Sequence, residues 1–205
     1  MRSKEIFGLA IGVAFIALAW IGCSSSDEVD FIYPEMETEL VDAYIGSDSL
    51  VKSIVMDDDT RIEVEQPIKA SKGDTIYRCL ASFARGVDGS PYSTTFYTIS
   101  SVPSNRPVST DSIRSKLMNH DARDLTEISR WETSRYVNAL VSFKTTTDDG
   151  HSLVFVEDSV GEDSTVYVSL VHIRPEGDSE GYTKRVYVSL PRVADMALSI
   201  EPGYE

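Results

Sequence analysis

The run Tyr136-Val-Asn-Ala-Leu-Val-Ser-Phe-Lys-Thr145, the link Thr146-Thr-Asp148-Asp149-Gly150-His151 and the run Ser152-Leu-Val-Phe-Val-Glu157 decide the fold. Both runs are rich in branched and aromatic residues and read as strands whose mixed faces let one side stay wet. Asp-Gly between two such runs is the strongest local hairpin signal in the chain. Working outward, strand signals recur at 165–174 and 183–190, linked by Gly161-Glu162-Asp163 and by residues 175–181, with 196–200 as an edge. Antiparallel neighbours with short links predict a β-sandwich over residues 105–205.

Toward the N-terminus, 50–56 and 60–65 flank Asp57-Asp58-Asp59 and read as a hairpin. The three aspartates lack the spaced ligands, central Gly and distal Glu of a calcium loop. Lys72-Gly73-Asp74 launches a strand over 75–84, with Ile76, Arg78, Leu80 and Ser82 on one face and Tyr77, Cys79, Ala81 and Phe83 on the other. A Gly/Asp/Ser/Pro loop at 86–91 leads into a further β-rich run at 93–102. So many short strands predict a small closed barrel over 45–104. Pro103 and Pro107 mark the boundary, and Thr110 or Asp111 can cap a short helix carrying Ile113, Leu117 and Met118. The expected fold class is all-β: a small barrel, an antiparallel sandwich, and at most one short helix between them.

The chain opens with Arg2 and Lys4, an apolar run over 6–22, and Cys23 directly after Gly22. Charged head, apolar core and small residue make a secretion signal over 1–22. With a cysteine at the junction it resembles a lipoprotein signal, in which Cys23 is lipidated and becomes the mature N-terminus. An uncleaved anchor is the alternative, but the 6–22 run reaches only about 25 Å as a helix, against roughly 30 Å of hydrocarbon. Ser24-Ser-Ser-Asp27-Glu28 resembles tags that send some lipoproteins to the cell surface. Residues 23–44, rich in Ser, Asp and Glu, read as a tether. The expected location is the outer membrane of the cell envelope.

Residues 1–22 hold two of the 19 basic side chains and one of the 33 acidic ones, so the remainder carries 17 and 32, a net charge of −15. Such a field repels phosphate backbones and anionic headgroups, so no nucleic-acid partner is expected and membrane attachment falls to the lipid. With Cys23 acylated, Cys79 is the one remaining thiol and no internal disulfide forms. In a strand-like run with no basic partner beside it, Cys79 reads as a small buried hydrophobe.

Asp57-Asp58-Asp59 between short strands, Lys72-Gly73-Asp74-Thr75, Trp131-Glu-Thr-Ser-Arg-Tyr136-Val137-Asn138, His151 opening a strand, Leu170-Val171-His172 within another, and Ser189-Leu190-Pro191 occur in that order over nearly the whole mature chain. In these residues the chain resembles the NigD-like family of Gram-negative lipoproteins. The resemblance implies an OB-like N-terminal barrel followed by a β-sandwich, with no established enzymatic activity, cofactor or catalytic residue. The family's link to bacteriocin loci is one of genomic context.

One chemical constellation is suggested. If the hairpin over 152–157 and 165–174 is symmetric about Gly161-Glu162, His151 stands opposite His172, close enough to share a zinc ion in a metal-assisted hydrolase. Asp148, Asp149 or Glu176 would supply a third ligand; the alternative is a structural hydrogen bond. His120, in a polar stretch, reads as a surface residue. The spacings of the usual nucleophile, metal and phosphate motifs are absent, so the expectation is a non-enzyme without cofactor. Binding is the favoured class, the ligand being a glycan or an envelope protein and the chain a monomer. Tyr92, Tyr97 and Trp131 are the candidate stacking residues, with Tyr136 and Tyr182 beside them; Trp131 can equally fill the junction of the domains.

Overall fold

The computed structural model describes residues 36–64, 68–85, 93–117, 125–192 and 196–199. The signal-like segment, Cys23, Tyr92, Met118 and His120 lie outside the described residues. Twelve strands and one short helix are described, and the fold is all-β.

Strands β1 (Met36–Ile45), β2 (Val51–Met56), β3 (Arg61–Val64), β4 (Thr75–Arg85) and β5 (Ser93–Ser101) close into a barrel in the order β1-β2-β3-β5-β4. Closure comes from the β1–β4 ladder, antiparallel from Met36↔Ala84 to Ile45↔Thr75, and from the short parallel β3–β5 pairing. The expected alternation in β4 holds: Cys79, Ala81 and Phe83 point inward with Val41, Ala43, Ile54 and Ile62. Residues 23–44 are therefore not all tether. Glu37, Glu39 and Asp42 disguise β1 as a polar linker, but alternation puts Val41, Ala43 and Ile45 in the barrel core.

Residues 102–107 leave the barrel and are stitched to both halves: Val102 N–H donates to the Arg78 carbonyl and Ser189 N–H to the Pro103 carbonyl. Strand β6 (Val108–Ser109) and helix α1 (Thr110–Leu117) follow, and Ile113 on α1 packs on Val156 and Val171.

The sandwich consists of a three-stranded sheet of β11 (Tyr182–Pro191), β8 (Tyr136–Thr145) and β7 (Thr126–Glu132), and a four-stranded sheet of β12 (Met196–Ser199), β10 (Val166–Ile173), β9 (Ser152–Val160) and β6. Between them lie Val137, Ala139, Val141, Phe143, Leu153, Phe155, Val168, Leu170, Val188 and Leu190. The Asp149-Gly150 signal is a real turn, with Gly150 at φ 83°, but it closes no hairpin. It carries the chain from β8 in one sheet to β9 in the other, and residues 174–181 carry it back to pair β11 with β8. The link is longer than the two residues a tight hairpin needs, and both edges of β8 are taken, one by β7 and the other by β11.

Candidate functional site

The two crossover links meet at one end of the sandwich, where the histidines lie. The β9–β10 hairpin does not have the symmetric register; His172 pairs with Leu153, two residues along. The turn is centred on Asp163, whose carboxylate accepts the Thr165 N–H at 3.0 Å, and a bulge follows at Tyr167/Val168. A two-residue slip preserves the face of every side chain, so the histidines still share one. His151 Nδ1 lies 2.9 Å from His172 Nε2, and Phe143 packs on both rings, with centroids 4.0 Å from His172 and 5.0 Å from His151.

The partners fix the protons. His151 Nε2 is 3.0 Å from the Thr147 carbonyl, which can only accept, so Nε2 carries hydrogen; in the neutral ring Nδ1 then accepts from His172 Nε2–H. The Asp178 carboxylate lies beyond Nε2, at 3.9 Å, on the opposite edge of the ring from His172. Three ligands cannot converge on one ion from the two edges of one imidazole, and among the described residues no group of three or more metal-binding side chains comes together. Of the predicted third ligands, Asp148 binds Tyr182 and Lys184 instead, while Asp149 and Glu176 are exposed. The described geometry thus brings the two histidines together as a hydrogen-bonded pair.

Asp178 ties the links together. Its Oδ1 accepts from Thr146 N–H (2.9 Å), Thr146 Oγ1 (3.0 Å) and Thr145 Oγ1 (2.9 Å). Burial would raise its pKa, but these donors and the Ser179 backbone N–H hold it down to about 2. A carboxylate depressed from 3.8 contributes stability that is present above about pH 4 and lost as pH falls toward 2. In thermal melts from pH 2 to 5, Asp178→Asn is expected to flatten that part of the acid limb; a limb as steep as that of the parent would show that Asp178 does not carry it.

The second polar cluster was not foreseen from sequence: a seam of charged groups between barrel and sandwich. Arg78 leaves the barrel wall on β4 opposite its ladder partner Asp42, and its side chain is fully buried. It donates to Asp42 (3.4 Å), the Asp57 carboxylate (2.8 Å), Asn138 Oδ1 (3.2 Å) and Ser189 Oγ (3.2 Å), and its guanidinium lies 4.1 Å from the Tyr136 ring centroid. Arg135 binds the other Asp42 oxygen and the Met56 carbonyl, and Tyr136 Oη donates to Asp42 Oδ1 at 2.9 Å. Burial, followed by the charge of Asp42, raises the Tyr136 pKa to about 12. Arg78 and Arg135 thus face Asp42 and Asp57, with the exposed Asp59 3.5 Å from Arg135 Nε at the margin. The signal available in sequence was the outer face of β4, where Arg78 sits among Ile76 and Leu80: a mixed face of that kind is partly covered.

Tyr97, half exposed, is the extra residue of the β5 bulge between the pairs Ser82↔Thr98 and Phe83↔Phe96. Trp131 pairs with Asn138, so it lies on the sheet face, turned away from the sandwich core, that carries the seam residues Asn138 and Ser189. It is 36% exposed and stands edge-on to Tyr187, with centroids 6.2 Å apart and planes at 80°. Leu140 and Ser129 lie in register on the same face, and Arg185 is exposed there on β11.

Among solved structures the fold is similar to that of a NigD-like immunity protein from Bacteroides caccae ATCC 43185, with TM-score 0.63 and 23% identity over 78% of each chain. It is also similar to a protein described as toxin-related from Parabacteroides distasonis ATCC 8503, with TM-score 0.56 and 11% identity over 76% of this chain and 77% of that one. At these identities the likeness is one of fold, and the barrel-then-sandwich order implied by the NigD-like resemblance is the order found. No protein-family model matches the chain, and no curated protein does.

Proposed function

We propose that this chain, which has the fold of a NigD-like immunity protein, is a lipid-anchored module of the cell envelope that binds an envelope partner, a glycan or a protein, without turning it over. One observation carries the reading: Trp131, braced by Tyr187, keeps 36% of its surface open to solvent, whereas His151, His172, Asp178 and Arg78 are committed to internal partners. An exposed indole held by a second ring offers a stacking surface to a sugar and an apolar anchor to a protein. The signal-like 1–22 segment and Cys23 support attachment through lipid, and the net charge of −15 after residue 22 speaks against nucleic acid. The module works as a monomer and without a cofactor. The name of the immunity-protein neighbour favours a second reading, an accessory role in a bacteriocin-type locus with a protein as partner.

The test is a glycan array together with cross-linked capture from envelope fractions, using residues 23–205 as bait. One class of ligand is expected to be retained, and Trp131→Ala to lower retention about tenfold or more while the chain still melts cooperatively. Retention of neither class, or retention indifferent to Trp131→Ala, overturns the reading.

A further inference from the structure

The barrel is filled unevenly. At one end Phe83 packs on Phe96, with centroids 5.8 Å apart, and both Phe83 and Ile62 are fully buried. At the other, where Ile45 pairs with Val51 and Thr75, the wall around Ala43 and Tyr77 leaves a cavity of about 290 Å³ that opens to solvent. Ala43, Ile45, Val51, Cys79 and Ile99 form its apolar body, while Lys69, Ser71 and Ser101 bring polar groups to its lining. The segment 68–71 forms one side of it and is held in place: Val51 N–H donates to the Ile68 carbonyl, and Ala70 N–H to the Ser49 carbonyl, each within 2.9 Å. Lys69, Ser71 and Ser101 are exposed at its mouth, and their side chains have no protein partner among the described residues.

We propose that this cavity is a binding site for a small apolar monocarboxylate. The volume is about twice that of an apolar cavity that holds benzene, so it takes roughly ten to twelve non-hydrogen atoms. A hydrocarbon body seated there would make dispersion contacts with Ala43, Ile45, Val51 and Ile99. The head group follows from charge. The ammonium of Lys69, at the solvent-exposed rim of the apolar lining, complements one carboxylate. The unpaired hydroxyls of Ser71 and Ser101 can donate to the same group. The site is independent of the Trp131 face, which lies on the sandwich.

Cys79 lines the cavity and reports on it, because a bound ligand covers the thiol. The probes are octanoate, octan-1-ol and octylamine, which share a hydrocarbon body and differ in charge, added to residues 23–205. Octanoate is expected to raise the melting temperature saturably and to slow modification of Cys79 by a small thiol reagent at least tenfold; octan-1-ol should do so weakly and octylamine not at all. Lys69→Glu should remove the preference for octanoate, and Ala70→Leu should abolish all binding while the chain still melts cooperatively. Equal binding of the alcohol, acid and amine overturns the choice of head group, and no protection of Cys79 in a folded chain overturns the site. Loss of octanoate binding in Trp131→Ala would instead overturn the independence of the two surfaces.

Discussion

Arg78→Ala is expected to lower the stability of the chain by about 3–5 kcal/mol, because removing one member of a buried charge cluster strands the others. Arg78 is the hub of the seam: without it the Asp57 carboxylate keeps only the Asn138 amide among its seam partners, and the cavity left by the side chain opens between the Asp42 ladder and the Tyr136 ring. Asp42 retains Arg135 and Tyr136, so the damage should centre on Asp57, Asn138 and Ser189. Urea denaturation followed by the fluorescence of Trp131, the one tryptophan after residue 22, measures the loss. Arg78→Lys keeps a charge but not the planar fork and should recover part of it. A loss under about 1 kcal/mol for Arg78→Ala would mean that the seam is weakly coupled to folding.

Phe83→Ala should cost a similar amount, about 3–5 kcal/mol, since Phe83 is fully buried and fills the dense end of the barrel against Phe96. The informative readout is remote. Trp131 lies in the sandwich, yet if the seam joins the two β units into one cooperative body, its unfolding midpoint should shift with this barrel mutation. In Arg78→Ala the barrel and sandwich transitions should separate, so that Phe83→Ala then moves the far-UV signal of the barrel more than the signal of Trp131. Coincident transitions in the double variant would place the coupling elsewhere, for instance in the backbone stitches from residues 102 and 103 to β4 and β11.

Much of the architecture was legible because β structure writes its period into the chain. The alternation of Tyr77, Cys79, Ala81 and Phe83 set the inward face of β4, and the hairpin around Asp57-Asp58-Asp59 folds as read. What failed was partner choice. Asp149-Gly150 specifies a turn but not which strands lie beside the flanking runs, and that is settled by β7 and β11, distant in sequence. The tether boundary failed for a related reason: Asp42 counts as a linker residue until Arg78 and Arg135 are seen to neutralise it. The histidine pairing was reached from a register wrong by two, because an even slip leaves the faces unchanged. The stretches that carried the family resemblance are explained by the same geometry: Asp57, Tyr136, Asn138 and Ser189 meet around Arg78, and His151 meets His172. They hold the molecule together, whereas Trp131, at the head of one of those stretches, stays 36% exposed beside them.

The position of β1 also bears on how the molecule resists being pulled. The strand runs between β2 and β4 in a closed barrel, with its Met36 end leading back toward the N-terminus. A drag on that end acts along the strand, loading the β1–β2 and β1–β4 ladders in shear so that their rungs share the force, whereas an edge strand would peel one rung at a time. Asp42, midway along β1, is clamped by Arg78, Arg135 and Tyr136, so part of the load passes directly into the sandwich. A chain held from its N-terminal side is thus gripped by one of its most thoroughly fastened strands.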